Sequence, residues 1–276
     1  MRRAVSTHLF ANHRLTVALL DRFLRNGIGE IEIFCARQHL DYHNRNQIDE
    51  LGHWFRDADM KLHSMHSPMF NDDCWGRTGP QAVISITERS KVKRIAAADE
   101  IRRALEVADV IPFRYLIQHI GVGEEEFDPD GRDAAFASLD ELSVFGAQLG
   151  VQVLVENIPN GYSSAERLSN FLEVTHLPLH FCFDTGHAHM GAGIEGEFRR
   201  MKDHIRSTHV HDNDGEHDSH LFPKVAAGGT IDWELTMNLL RTCPDDTPLL
   251  LELKEDTSME KPLEQVLRSF EALESL

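Results

Sequence analysis

Short apolar runs alternate along this chain with longer stretches in which apolar residues recur every three or four positions. The first pattern predicts buried strands and the second amphipathic helices. Strand candidates fall at roughly Ala4–Phe10, Glu30–Phe34, Met60–His66, Arg114–His119, Val151–Glu156, Leu179–Asp184, Ser207–His211 and Pro248–Leu253. Strands that alternate with helices build a parallel sheet, and eight is the number that closes one into a barrel. The expected fold is α/β, a single (β/α)8 barrel over residues 1–276.

The intervening stretches carry their own punctuation. Leu15, Ala18, Leu19 and Phe23, stopped by Gly27, predict one helix; Ile48, Leu51, Trp54 and Phe55 a second; Val92, Ile95, Ile101, Leu105 and Ala108 a long third. Phe136, Leu139, Leu142 and Leu149 follow, then a capping-box start at Ser163-Ser-Ala-Glu166 leading into Leu168, Phe171 and Leu172, and a last helix with Leu263, Val266, Leu267, Phe270 and Leu273. All of these apolar residues are assigned to the core. No repeat, linker or low-complexity tract divides the chain. The longest irregular stretch, Pro68–Pro80 with Asp72, Asp73, Trp75 and Gly79, reads equally as a lid over a site or as a surface loop.

Composition narrows the class. With 276 residues, 41% hydrophobic and 26% charged, the chain can bury a large core. Cys35, Cys74, Cys182 and Cys243 are scattered without a C-x-x-C pair, which suits a reducing compartment and suggests neither disulfides nor a thiolate zinc site. The N-terminal residues are too often polar for a signal peptide, and no apolar run approaches a membrane span, so a cytoplasmic protein without a membrane partner is expected. A formal charge of -17 argues against holding nucleic acid by its backbone, although a local basic stripe is compatible with an acidic protein.

Candidate chemistry is concentrated between Arg206 and His220, where four histidines and four carboxylates share fifteen residues. Imidazole and carboxylate are the donors that zinc and manganese favour, whereas any one such histidine alone reads as well as part of a solvated loop. Partners at other strand ends decide between these readings. His66 ends the third run, His119 the fourth, Glu156 the fifth and Asp184 the sixth, while His209 lies in the seventh and Glu252 in the eighth. Residues at the carboxyl ends of barrel strands point at a common centre, and buried unpaired carboxylates are costly unless a cation meets them. His63 and His66 would lie on opposite faces of their strand, so that only one points inward. His211 shares a face with His209 and is an alternative ligand to it; Asp212 either orients a ligating histidine or caps the loop; His189, His204 and His217 are left to the surface or to supporting roles.

At this point the residues resemble a family. Glu156-Asn-Ile-Pro, Phe183-Asp184-Thr-Gly-His187, the H-x-x-D of His209 to Asp212, Asp218-Ser-His220 followed by Ile231-Asp-Trp233, and Leu251-Glu252-Leu-Lys stand in the order found in the xylose isomerase-like TIM barrels, which include sugar phosphate isomerases and epimerases and endonuclease IV. In the isomerases and epimerases the resemblance implies one divalent ion, zinc or manganese, held by Glu156, Asp184, His209 and Glu252. In members with a fuller site it implies up to three, with His66, His119, His187, Asp218 and His220 added; a one-metal site with the extra histidines on the substrate also agrees. Where many relatives have a shorter Pro-Gly-Glu-Gly turn, this chain has Pro223-Lys-Val-Ala-Ala-Gly-Gly-Thr.

Three functions follow as expectations. The first is isomerisation or epimerisation of a sugar, sugar phosphate or related keto-polyol, in which Glu156 and Glu252 are the catalytic acids and bases and a divalent ion stabilises the enediolate. Dehydration begins with the same step. The second is endonuclease IV-like hydrolysis of abasic DNA by a multinuclear zinc site, against which stand the charge and the lack of an evident DNA-reading loop. The third is a non-catalytic sugar-binding protein on the same fold. The resemblance leaves the oligomeric state open, a homo-oligomer included.

Overall fold

The computed structural model describes residues 1–256 and 259–276. Eight strands, β1 (Arg2–Ser6), β2 (Glu30–Phe34), β3 (Lys61–His66), β4 (Tyr115–His119), β5 (Gln152–Glu156), β6 (His180–Asp184), β7 (Ile205–His209) and β8 (Pro248–Leu251), form one sheet in the order β7-β6-β5-β4-β3-β2-β1-β8. The paired strands are parallel throughout. A parallel bridge from Val210 to Leu251 joins the two ends of the sheet just past β7, so the fold is a (β/α)8 TIM barrel.

Helices α1 (Val17–Arg25), α2 (Arg45–Asp57), α3 (Lys91–Leu105), α4 (Pro129–Gln148), α5 (Ala165–Val174), α6 (Thr185–Met190), α7 (Ile194–Met201), α8 (Trp233–Leu240) and α9 (Pro262–Glu274) lie between the strands and after the last. The main core is the layer between helices and sheet, where outward strand residues such as Ile33, Val155, Phe181 and Phe183 meet Leu20, Phe23, Leu142, Phe198 and Phe270. Each such side chain, fully buried, contributes about 1.5–3 kcal/mol. A separate small cluster of Tyr115, Ile117, Leu154 and Cys182 fills the barrel itself. The strand ends above it are therefore left to polar side chains.

Caps explain several helix starts. Asp128 accepts from the amides of Asp130 and Gly131 at 2.8 and 3.1 Å, with Pro129 opening α4. In α5 the cap is Ser164, which accepts from Arg167 N, not Ser163 of the expected capping box; Ser163 Oγ instead donates to Ile120 O at 2.7 Å and ties α5 to the end of β4.

Other departures from the sequence expectations have local causes. The first strand stops at Ser6, whose side chain caps a 3-10 turn over Thr7–Phe10, so the apolar Leu9 and Phe10 are turn residues buried under the barrel rim. The seventh strand begins at Ile205 and ends at His209, two residues earlier than expected. Val92 and Ile95 are 79% and 46% exposed, because the buried stripe of α3 is Ala97, Ala98, Ile101, Ala104 and Leu105. His63 and His66 both point inward. Between β2 and β3 the register slips from Ile31↔Leu62 to Glu32↔Ser64, leaving His63 as an extra residue in a bulge that breaks the alternation. His63 then reaches Ser207 Oγ at 3.1 Å across the barrel.

Candidate metal centre and substrate cavity

Register carries the candidate donors to one end of the barrel. Phe34 pairs with His66, His119 with Glu156 and Asp184 with His209 in the last positions of their strands. Period-two alternation turns these residues inward, and Glu252 follows β8 at the same height, with its amide donating to Val210 O at 3.2 Å. One ligand atom from each of Glu156, Asp184, His209 and Glu252 lies within 4.8 Å of the others, and all four residues are buried.

His209 shows how this set is prepared. Its Nε2 is 3.1 Å from the Glu32 carboxylate, which also accepts from Ser64 Oγ at 2.7 Å, so Nε2 donates to Glu32 and Nδ1 is the nitrogen left for a cation, or for a proton in its absence. Nδ1 is buried without a hydrogen-bond partner, yet lies 3.2, 3.3 and 3.9 Å from oxygens of Glu156, Glu252 and Asp184. An orphaned imidazole nitrogen facing three buried carboxylates with no lysine or arginine among them is a donor set that a divalent cation fits. Glu32, at the middle of β2, was not among the sequence candidates. The alternation Glu30-Ile-Glu32-Ile-Phe34 was the available signal, since it faces both acids into the barrel.

The other five predicted residues flank this set. His66 Nε2 lies 3.2 Å from His119 Nε2, and the two reach Glu156 Oε2 at 3.6 and 3.1 Å. On the opposite side His187 Nδ1 lies 3.2 Å from Glu156 Oε1, and its Nε2 is 3.4 Å from Asp218. His220 Nε2 is 3.3 Å from the same Asp218 oxygen. His220 sits in the left-handed region at φ 47°, held there as its Nδ1 bonds Glu252 O at 2.9 Å and its own carbonyl accepts from Lys254 N at 3.1 Å. The structure thus brings all nine residues together, although Asp218 stands at the exposed rim.

His211, the alternative to His209, stands beside them. Its Nε2 lies 3.1 Å from Asp184 Oδ1 and 3.8 Å from Asp218, and its ring stacks on His220 at 3.9 Å between centroids. Asp184 caps α6 by accepting from His187 N at 2.6 Å, which fixes its carboxylate between the two imidazoles. Asp212 orients no histidine: it accepts from Trp233 Nε1 at 2.6 Å and from the amides of Asn213 and Ile231, pinning the loop that runs from Pro223 to Thr230. Gly229 of that loop packs so closely that a β-carbon there would sit 2.3 Å from the Asp212 carboxyl carbon. His189 bonds Thr230 Oγ1 at 2.8 Å, and His217 pairs with Asp214 on the surface.

Without a cation the cluster balances itself by protons. Burial pushes Glu156 up, but the charges of His209 and His119 and bonds from His119 and His187 hold it well below the ordinary carboxylate range. Burial dominates at Glu252, which is raised. Burial also opposes charge on His187, yet Asp184, Asp218 and Glu156 hold it well above its ordinary value. These protons are what a bound divalent ion would displace.

Above the cluster lies a cavity of about 550 Å³ whose floor includes His66, His119, Glu156, His187, His220 and Glu252. The stretch read as lid or surface loop forms part of its wall. An antiparallel bridge between Phe70 and Val83 ties the base of that loop, Asp72 accepts from the Gly76 and Thr78 amides, and Trp75 packs on Phe34 with centroids 5.0 Å apart. His8, buried beside His220 with its Nδ1 3.1 Å from Leu253 O, completes the rim. Among the described residues no helix is long and apolar enough to cross a membrane.

Comparison with known proteins agrees with this architecture. A solved D-tagatose 3-epimerase-like protein superposes with a TM-score of 0.76 at 20% identity, over 100% of this chain and 96% of the other. The 3-keto-D-glucoside 4-epimerase of E. coli gives 0.74 at 15% identity over 100% of both chains, and the IOLI protein with a zinc atom gives 0.75 at 14% over 100% and 98%. In sequence, an uncharacterized protein of Methanocaldococcus jannaschii is 29% identical over 135 residues, which is 48% of this chain; the match spans about half of that relative, 53% of its length. The family model described as xylose isomerase-like TIM barrel matches residues 20–276, and the chain belongs to that family.

Proposed function

We propose that this protein is a divalent-metal-dependent isomerase or epimerase of a sugar or related keto-polyol. The observation that carries the reading is the meeting of Glu156, Asp184, His209 and Glu252 within 4.8 Å, with an unpartnered His209 Nδ1 turned to the three carboxylates. Those four residues would hold the ion, zinc or manganese. Bound there, it supplies positive charge next to the oxygens of a carbonyl and its neighbouring hydroxyl, where charge develops as a C–H proton leaves.

The chain's own groups do the rest. Glu156 from β5 and Glu252 from β8 approach the floor of the cavity from different strands, so each carboxylate can take a proton from, or return one to, a carbon held between them. His66, His119, His187 and His220 surround the space above with ring nitrogens that orient hydroxyls. Phe34 and Trp75 exclude water on one side. That solved proteins of this fold include sugar epimerases supports the same choice.

A second reading has a specific observation behind it. His66, His119 and Glu156 form one further metal-sized group and His211, Asp218 and His220 another, as a multinuclear phosphodiesterase acting on abasic DNA would need. The cavity, however, is lined by no lysine or arginine among the described residues, and the chain carries -17 charges, which opposes a polyanionic substrate. The deciding experiment is elemental analysis of the purified protein together with C–H exchange of ketoses in D2O and nicking of abasic DNA. One ion per chain with exchange and no nicking supports the isomerase; two or three ions with nicking overturn it.

A further inference from the structure

The cavity changes character above its floor. One side is built from Phe34, Met69, Phe70 and Trp75, and Ile158 and Met190 line the cavity from beyond β5 and β6. Trp75 stands edge-on to Phe34 at 5.0 Å and to Phe70 at 6.2 Å between centroids, so the rings make a continuous wall. The carboxylates lining the cavity are Glu124, Glu156, Glu216, Asp218 and Glu252, the imidazoles of His66, His119, His187 and His220 lie at its floor, and no lysine or arginine is among the described lining residues.

Two consequences follow for a ligand whose carbonyl end lies on the floor. A phosphate at its far end, away from the imidazoles of the floor, would find neither guanidinium nor ammonium among the described lining residues to receive it. A free hydroxyl turned to the wall would lose water and find only ring and aliphatic carbon, since the indole nitrogen of Trp75 is buried away from the cavity. A simple ketose carries an oxygen on every carbon and matches this wall poorly.

We infer that the substrate is an uncharged keto sugar or keto-polyol whose end remote from the carbonyl bears an apolar substituent, such as an aryl or alkyl ether or glycoside, seated on Phe34, Phe70 and Trp75. The apolar group replaces water on the rings. A volume of about 550 Å³ accommodates both parts. The inference rests on the proton-transfer reading only for the placement of the carbonyl end.

The test uses the full-length metal-loaded protein and three ketoses with the same carbonyl end: D-fructose, D-fructose 6-phosphate and 6-O-benzyl-D-fructose. Calorimetry gives affinities, and NMR in D2O gives C–H exchange. The benzyl ether is expected to bind at least about tenfold tighter than fructose and the phosphate at least about tenfold weaker, with the benzyl preference shrinking to within about threefold in Trp75→Ala. Trp75→Phe, which keeps a ring, retains part of that preference. Equal or tighter binding of the phosphate, no gain from the benzyl group, or no binding of any of the three overturns the inference. Preferred binding of the benzyl ether without exchange in any ketose instead overturns proton transfer and leaves the wall's preference in place.

Discussion

A β-carbon on Gly186 would lie 2.0 Å from Cε1 of His211, so the hydrogen side chain of one residue is the space that the ring of the other fills. That ring carries Nε2 to Asp184 at 3.1 Å and one face to His220 at 3.9 Å. The glycine inside Asp184-Thr-Gly-His187 therefore belongs to the construction of the candidate metal centre, through an imidazole 25 residues further along the chain.

Gly186→Ala should consequently push His211 off Asp184 and lower stability by about 1–3 kcal/mol, the usual cost of overpacking. Urea unfolding measures the loss. The double variant Gly186→Ala with His211→Ala should recover most of it, because the atoms in conflict are gone. A single variant as stable as the parent would show that the ring is free to move elsewhere.

Glu32 acts on the same centre from behind. Its carboxylate accepts from Nε2 of His209 and so leaves Nδ1 as the nitrogen that would give its lone pair to an ion. Glu32→Gln offers an amide whose nitrogen cannot accept, which weakens the hold on that tautomer. Zinc affinity, measured by competition with a chelator, should fall roughly 10–100-fold while the fold persists. Unchanged affinity would mean that His209 does not depend on this partner.

Much of this arrangement was legible in the residues, and the exceptions share a cause. Strand ends could be read because period-two patterning ends where a run meets a polar residue, as at His119, Glu156 and Asp184. Glu32 escaped because it lies inside its strand, and the barrel interior accepts a buried acid there only because His209 arrives from β7. His63 was misread because a bulge is set by the pairing of β2 with β3, which no single-strand pattern encodes. His211 is an alternative to His209 because both share a face; the loop beyond β7 brings it to Asp184. Apolar Val92 and Ile95 were assigned to the core by period alone, whereas alanines form the packed stripe of α3.

Glu252 is the residue whose chemistry is most exposed to a direct test. Its oxygen lies 3.3 Å from His209 Nδ1, and it lines the same cavity as His66. Glu252→Gln preserves size and removes the basic oxygen. Turnover and C–H exchange should fall by at least about two to four orders of magnitude, the range for a lost general acid or base. Circular dichroism and metal content are measured alongside. Full exchange in a folded, metal-loaded Glu252→Gln protein would remove this residue from the proton path.

Away from the centre, His39 sets an acid limit on stability. It is fully buried, its Nδ1–H donates to His13 O, and Nε2 has no partner. Burial pushes its pKa down to about 4, from an ordinary value of 6.5. Above pH 6.5 both folded and unfolded states hold a neutral ring and the full stability is present. As pH falls from there toward 4, the unfolded chain takes up a proton that the folded one refuses, so stability declines by about 1.4 kcal/mol per pH unit, roughly 3 kcal/mol in all, and levels off below the folded value. His39→Asn keeps a donor in the place of Nδ1–H and removes the titration. Urea midpoints at pH 7.5 and 4.5 should therefore differ less for the variant than for the parent by an amount of that order, with the variant the less stable of the two at the higher pH. Parallel declines in both proteins would assign the acid sensitivity to other groups.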